Sequence, residues 1–443
     1  MNKMTQGILF IQLGCSKNKV DGEIMIAKLQ ANGFYMVDTE DKADIIIINT
    51  CGFIESAKKE AIDEILNAIQ TGKKVIVAGC LAERYKEDIL KQFPEVLGVI
   101  GIFDIDKIAL LVNKVIKNEK TTYFNSKALA NVDFNERVIT TPFYYAFLKI
   151  ADGCSNYCSY CAIPKIRGKY ISRDISSLYE EAKMLVDNGA AEIIIIAQDT
   201  TRYGLDLYNE KMLIPLLKKL EAIDEIKWIR LHYMYPEAID SALIDYIKKS
   251  KRVLPYFDIP IQHINNRILN LMNRRTTKEQ IISLLTEIKA KIPNAVIRTS
   301  LISGFPTETQ EEHKELLAFV KKGYFDRLGV FPFSSEEGTK ASKIVGKLPK
   351  KIKESRANEI MATQTKISLS KNKSKKGQAY TVLVEGIDTI NEVYFGRTYM
   401  DSPDIDGTVY FKSDENIEIG DYIEVRITGF DTYDLTGEVV IHN

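Results

Sequence analysis

No run of about 18 consecutive apolar residues occurs in this 443-residue chain, which speaks against a membrane-spanning helix. The opening MNKMTQGILFIQLGC lacks a basic segment followed by a long apolar stretch, so no secretory leader is expected and the reading is a soluble, cytoplasmic protein. Net charge is missing too. The 60 basic and 60 acidic side chains balance, so the whole-chain charge points to no partner. Cysteine is scarce and absent beyond Cys161; its six occurrences are Cys15, Cys51 and Cys80, then Cys154, Cys158 and Cys161. That segregation suits metal binding better than a disulfide framework, which would leave one of three neighbouring thiols over.

The stretch Cys154-Ser-Asn-Tyr-Cys158-Ser-Tyr-Cys161 organises the rest. Thiols at spacings of four and three, with no fourth cysteine nearby, suit an iron–sulfur cluster that keeps one iron free of protein ligands and open to chemistry. Structural zinc is the bland alternative. It needs four closed ligands, and the nearest histidine along the chain is the distant His232.

At about 100–200 residues per domain, the length suggests two to four domains. Residues 1–118 alternate short β-rich runs with helix-like segments, the pattern of a parallel α/β domain. The runs ILFIQLGCS, ADIIIINTCGF and KKVIVAGCLA each end at a cysteine. Cys15, Cys51 and Cys80 are therefore expected at the carboxyl edge of one sheet, where the crevice of such folds opens. A cysteine after a strand is often only a small buried residue, but three in equivalent places point to a second shared cluster site. Residues 119–140 lack periodicity and read as a linker.

Residues 141–376 hold six strand-like runs: FYYAFLKIADGC, AEIIIIAQDT, IKWIRLHYMYP, PYFDIPIQHI, NAVIRTSLISGFP and FDRLGVFPFS. Helix-like stretches separate them, giving a partial, six-unit version of the eight-unit βα barrel, with the cysteine loop at the carboxyl end of the first strand. The lysine-rich stretch 340–376 reads as a solvated face or connector. Residues 377–443 change to five short alternating strands, a small closed antiparallel barrel of the oligonucleotide-binding type. They carry fourteen carboxylates, Asp401, Asp404 and Asp406 among them, against Arg397, Lys412 and Arg426, a net charge of −11. Such a surface repels RNA and attracts a basic protein, the plain alternative being solubility.

CSNYCSYC, with an aromatic before its last cysteine, resembles the radical S-adenosylmethionine superfamily, and the six-unit barrel agrees. The resemblance implies a [4Fe-4S] cluster on Cys154, Cys158 and Cys161 whose free iron binds the methionine moiety of S-adenosylmethionine. It implies that the peptide around Tyr160 approaches the adenine and that RTSLISGFPTET, with Ser303 and Gly304, is the late nucleoside strand. Gln198 and Asp199 stand where the methionine-amine motif belongs, although AQDT departs from its glycines and glutamate. The whole chain resembles the methylthiotransferases, which join a three-cysteine N-terminal domain, a radical core and a C-terminal TRAM barrel. GCSKNKVDGE, AQDTTRYGLDLY, IRLHYMYP and FDIPIQH look like the RimO type, which modifies an aspartate of a small-subunit ribosomal protein. The transfer-RNA type typically has a glutamine–methionine pair after its first cysteine. By this resemblance Cys15, Cys51 and Cys80 hold a second [4Fe-4S] cluster carrying the sulfur to be transferred. The implied partners are a basic ribosomal protein docked by the acidic TRAM barrel and an electron donor such as flavodoxin or ferredoxin, with no membrane and no RNA.

Three functions stay in view: a ribosomal-protein methylthiotransferase, a transfer-RNA methylthiotransferase, and a non-catalytic cluster protein that senses redox state or carries sulfur. Arg167 and Arg173 either grip substrate or cofactor or are surface arginines. His232 and His263 at strand ends are as readily structural as functional. Asn18 and Asp21 are expected to shape or cap the turn that follows the first cysteine.

Overall fold

Apolar runs covered on both faces make the strands of the first unit. In the computed structural model, which describes residues 6–124 and 136–440, six parallel strands form one sheet. Their spatial order is Tyr35–Val37, Gly7–Gln12, Ile45–Thr50, Lys74–Gly79, Val96–Ile100, Thr121–Tyr123. Ile45 and Ile47 pack on one side with the helix Ser16–Ala31, Ile46 and Ile48 on the other with Glu55–Gln70, so the run shows no alternation. The chain changes direction across the sheet between Gly7–Gln12 and Ile45–Thr50, the switch point where a doubly wound sheet opens a crevice. Thr121–Tyr123 pairs with residues 98–100, although it falls in the stretch read as a linker. Three residues on a sheet edge are too few to display a period. Residues 125–135 of that stretch lie outside the described residues.

The second sheet has six parallel strands in chain order: Tyr145–Lys149, Glu192–Ile196, Trp228–Leu231, Val253–Asp258, Val296–Ser303 and Arg327–Pro332. Its period-two alternation sorts the side chains. Ile193, Ile195, Ile229, Leu231, Phe257 and Ile297 pack beneath the surrounding helices. Ile194, Ile196, Trp228, Tyr256 and Val296 face the opposite way, into a cluster shared with Leu383 and Met400 of the C-terminal unit.

That unit is a closed five-stranded barrel of Ala379–Asp388, Val393–Thr398, Val409–Lys412, Leu435–Val439 and Tyr422–Phe430. Four pairings are antiparallel; Val409–Lys412 with Leu435–Val439 is parallel, the crossing by which a Greek-key barrel closes. It seats against the amino ends of the six-stranded sheet: Glu192 and Arg327, each the first residue of its strand, pair with Arg397 and Asp401. The lysine-rich stretch is more than a solvated connector. Within it the helix Lys350–Lys373 buries Arg356, Ile360, Gln364, Ser368 and Asn372 at four-residue spacing. Gln364 donates to the Phe325 carbonyl and Asn372 to the Asp431 carbonyl, so the helix closes the open side of the sheet and holds the barrel.

Candidate functional site

The carboxyl ends of the six core strands face the crevice of the N-terminal sheet, and between them lies a cavity of about 1160 Å³. All six cysteines line it. Separations of up to 146 residues along the chain thus collapse into one site, as the two sheet-edge rules require.

The loop bearing Cys154, Cys158 and Cys161 is pinned at both ends and in the middle. Gly153 has φ +72°, and a Cβ there would overlap the Lys169 carbonyl, so only glycine lets the strand end turn into the loop. Tyr157 adopts φ +49°, held by the Asn273 amide donating to its carbonyl at 2.8 Å. Ser159 donates through Oγ to the Leu271 carbonyl at 2.7 Å, and its own carbonyl accepts from the Ala341 N–H at 2.7 Å.

Across the cavity, each thiol of the other triad follows a strand of the N-terminal sheet. Asn18 shapes this edge as the sequence suggests, its amide donating to the Leu13 carbonyl at 2.8 Å and the Thr50 carbonyl at 3.3 Å. Gly79 turns the last strand directly into the helix Cys80–Tyr85 with φ +92°; a Cβ there would lie 2.6 Å from the Thr50 oxygen. Arg167 joins the two halves. It donates to Asp21 at 2.7 Å, to Asp152 at 2.8 Å and to the Cys80 sulfur at 3.3 Å. Asp21 also pairs with Lys149, so it clamps the two sheets together rather than capping its helix.

The donor chemistry suits a positively charged inorganic group. Burial pushes Cys154 up to about 11 and Cys80 up to about 12, and it raises Cys51 and Cys161 as well. Burial also opposes ionisation of Cys15, but Lys17 and Arg167 outweigh it and lower that thiol. Thiols so placed ionise only against a compensating cation, which iron supplies on coordination. Structural zinc would need a fourth ligand beside one of the triads. His232, its distant fourth candidate, instead shares a hydrogen bond of 3.0 Å with Ser402.

Of the other residues singled out from sequence, Tyr160 and Gln198 line the cavity. Gln198 donates to Asp152 at 3.0 Å and leaves its buried Oε1 with no partner. Asp199, Ser303 and Gly304 are not on the wall. Asp199 accepts from Asn156 at 2.8 Å and from Thr201 at 2.6 Å; Ser303 donates to the Lys353 carbonyl at 3.0 Å, and the Gly304 N–H goes to Glu308 at 2.7 Å. For Ser303 strand alternation is the reason: on Val296–Ser303 it is Ser300 and Ile302 that face the cavity. Arg173 is structural, bonded to the Lys149 carbonyl at 2.9 Å and to Glu181 at 2.5 Å. His263 is buried and accepts the Asn265 N–H at 3.0 Å.

Several wall residues had no sequence signal. Arg274 lies over the Tyr235 ring at 4.0 Å with a guanidinium nitrogen 4.0 Å from the Cys158 sulfur, and Tyr235 Oη is 2.6 Å from that same sulfur. Lys17, Tyr233, Asp258 and Arg298 complete the inner wall. Strand-end position could have suggested Tyr233, Tyr235 and Asp258; nothing in Asn-Arg-Arg-Thr-Thr marks Arg274.

Residues 7–101 match Uncharacterized protein family UPF0004, residues 148–320 the Radical SAM superfamily and residues 377–440 the TRAM domain. The superfamily brings a [4Fe-4S] cluster and S-adenosylmethionine as cofactors. Proteins called "Ribosomal protein uS12 methylthiotransferase RimO" from Acetivibrio thermocellus and Clostridium tetani are each 46% identical, covering 99% of this chain and 99% of theirs. One from Clostridioides difficile is 45% identical, covering 97% of both. Among solved structures, a radical S-adenosylmethionine methyltransferase, TsrM, from Kitasatospora setae superposes with a TM-score of 0.54 at 13% identity. That match covers 74% of this chain and 73% of the other, and it speaks for the fold alone. With identity near one half along its whole length and the radical core intact, the chain belongs to the RimO family of radical S-adenosylmethionine methylthiotransferases.

Proposed function

We propose that this protein places a methylthio group on the β-carbon of an aspartate in ribosomal protein uS12, working in the cytoplasm where ribosomes are reached. The observation that carries the proposal is that both cysteine triads line one cavity, so a single bound side chain can meet both. Cys154, Cys158 and Cys161 would hold the cluster that engages S-adenosylmethionine, and Cys15, Cys51 and Cys80 a second [4Fe-4S] cluster bearing the transferred sulfur. When bound, these groups supply radical opening of an unactivated C–H bond and a methylated sulfur, chemistry beyond side-chain acids and bases.

The chain's own residues orient and enclose. Gln198 Oε1, buried and unpartnered, is an acceptor for a cofactor donor, and Tyr160 offers a ring beside Cys161. Ile302, Pro332 and Phe333 make the wall apolar and limit water, which a radical reaction requires. Arg167 keeps the two triads in register by bonding Asp21 on one side and Asp152 on the other. Exposed carboxylates of the C-terminal barrel, such as Asp414, Glu415 and Glu418, would draw in a basic protein, and a flavodoxin- or ferredoxin-like donor would supply electrons.

The test is to incubate anaerobically reconstituted enzyme with uS12 and, separately, with transfer RNA, and to measure mass. An SCH₃ group replacing hydrogen on the uS12 aspartate is the expected result. The same gain on transfer RNA, with uS12 unmodified, overturns the proposal.

A further inference from the structure

The cavity holds more cations than its own carboxylates consume. Arg167 is taken up by Asp21 and Asp152, Arg298 by Asp258 at 2.9 Å, and Lys58 by Glu55 at 2.8 Å and Glu336 at 3.1 Å. Two buried cavity cations pair with no carboxylate among the described residues: Arg274 and Lys17. Arg274 sits behind the Cys158 loop, donating to the Pro260 carbonyl at 2.8 Å.

Lys17 lies at the other end of the site. It is two residues after Cys15, in the first turn of the helix Ser16–Ala31, and is 7% exposed. Its ammonium crosses to the core and stands 3.4 Å above the centre of the Tyr233 ring. Tyr233 is itself fixed at φ +56°, its N–H donating to Asp258 at 2.9 Å and its carbonyl accepting the Thr200 N–H at 3.1 Å. Beside the Lys17 ammonium, the Cys15 thiol and Tyr233 favour its charged form, and no carboxylate among the described residues does so. A buried ammonium on the cavity wall that meets no carboxylate among the described residues can take one from a bound ligand.

We infer that Lys17 binds the side-chain carboxylate of the substrate aspartate, with Tyr233 as the positioning residue that holds the ammonium between the two triads. This rests on the function proposed above. A carboxylate on Lys17 Nζ puts the adjoining β-carbon in the space shared by Cys15 and the core strand ends, where a transfer between the two sites must occur. It also makes the enzyme selective for an anionic side chain, because an amide or a nucleobase leaves the buried ammonium unpaired.

The experiment uses reconstituted full-length enzyme and two synthetic peptides covering the uS12 target loop, one with aspartate and one with asparagine at the modified position. Dissociation constants are measured by fluorescence anisotropy for wild type, Lys17→Met and Lys17→Arg, with iron content as the folding control. Wild type should favour the aspartate peptide about 10–100-fold, the usual worth of a charged hydrogen bond. Lys17→Met should bind both peptides equally, at the wild-type value for asparagine, and Lys17→Arg should recover much of the preference. An undiminished preference in Lys17→Met overturns the inference. So does a wild-type enzyme indifferent to the two peptides, a result that needs no variant. If wild type methylthiolates uS12 in either case, only this inference fails; if wild type leaves uS12 untouched, the function itself was misassigned.

Discussion

Arg397 of the C-terminal barrel donates to Glu192 of the core sheet at 2.7 Å, with both side chains almost completely buried. Glu192 also accepts from Arg230 at 2.7 Å, and Arg397 reaches Glu385 at 2.6 Å, so four charges alternate in sign across the domain seam. Burial opposes ionisation of Glu192, yet Arg397 and Arg230 together hold its carboxyl below the usual range.

Glu192→Gln leaves two buried guanidiniums facing each other and should cost roughly 3–5 kcal/mol. Because the folded value of Glu192 is depressed, its contribution is complete above the unfolded value of about 4.3 and is lost as pH falls further. Thermal denaturation followed at pH 7 and pH 4 should show a lower midpoint for the variant at pH 7 and a smaller difference at pH 4. Equal midpoints at pH 7 would mean that the seam draws nothing from this network.

Iron content tests the two-site reading directly. Reconstituted wild type should bind about eight irons, and the triple variant Cys154→Ala, Cys158→Ala, Cys161→Ala about four. The complementary variant at Cys15, Cys51 and Cys80 should also keep about half and should still cleave S-adenosylmethionine. Product should vanish in both. Saturation of wild type at about four irons rules out the second cluster.

His232 gives the chain a second acid-sensitive point. Burial pushes it down to about 3, with Asp258 opposing and Arg298 adding to the effect. The folded ring therefore stays neutral while the unfolded one, near 6.5, takes up a proton. Stability from this residue is complete above about pH 6.5 and erodes as pH drops toward the folded value. Between pH 7.5 and pH 5, His232→Asn should lose less of its melting temperature than wild type does; parallel losses would remove His232 as the cause.

What the sequence displays and what it conceals divide on physical grounds. The two triads, the six core strands and the five-stranded barrel are visible because each rests on local spacing or periodicity. Motif position points to Asp199 and Ser303, whereas strand alternation puts Ser300 and Ile302, not Ser303, on the wall. Arg167 hides its role because its partner Asp21 is 146 residues away, on a helix of the N-terminal unit. The buried stripe of Lys350–Lys373 is mostly polar, so no hydrophobic period announces it. Lys17 gives no sign either: a lysine in a first helical turn looks solvated until Tyr233, just past the core strand Trp228–Leu231, is laid over it.

Net charge misleads in one respect, and the correction yields the last prediction. The −11 of residues 377–443 is not all surface. Asp401 is buried in an ion pair with Arg327, and Asp406 accepts the Tyr256 hydroxyl at 2.6 Å, so both are fasteners of the barrel to the core. Asp404, between them, is exposed, as are Asp414, Glu415 and Glu418. If the barrel docks a basic protein, reversing Asp414, Glu415 and Glu418 to lysine should slow association with uS12 by about tenfold or more at low salt. The deficit should shrink as added salt brings the Debye length below about 8 Å. Iron content and S-adenosylmethionine cleavage should be unaffected, because these side chains do not line the cavity. Asp401→Lys should behave differently: it sets a third cation beside Arg327 and Lys375 and should lower the melting temperature at every salt concentration. Stopped-flow association at several salt concentrations separates the two. A surface triple variant that binds uS12 at the wild-type rate in low salt would leave the barrel's remaining acidity to solubility alone.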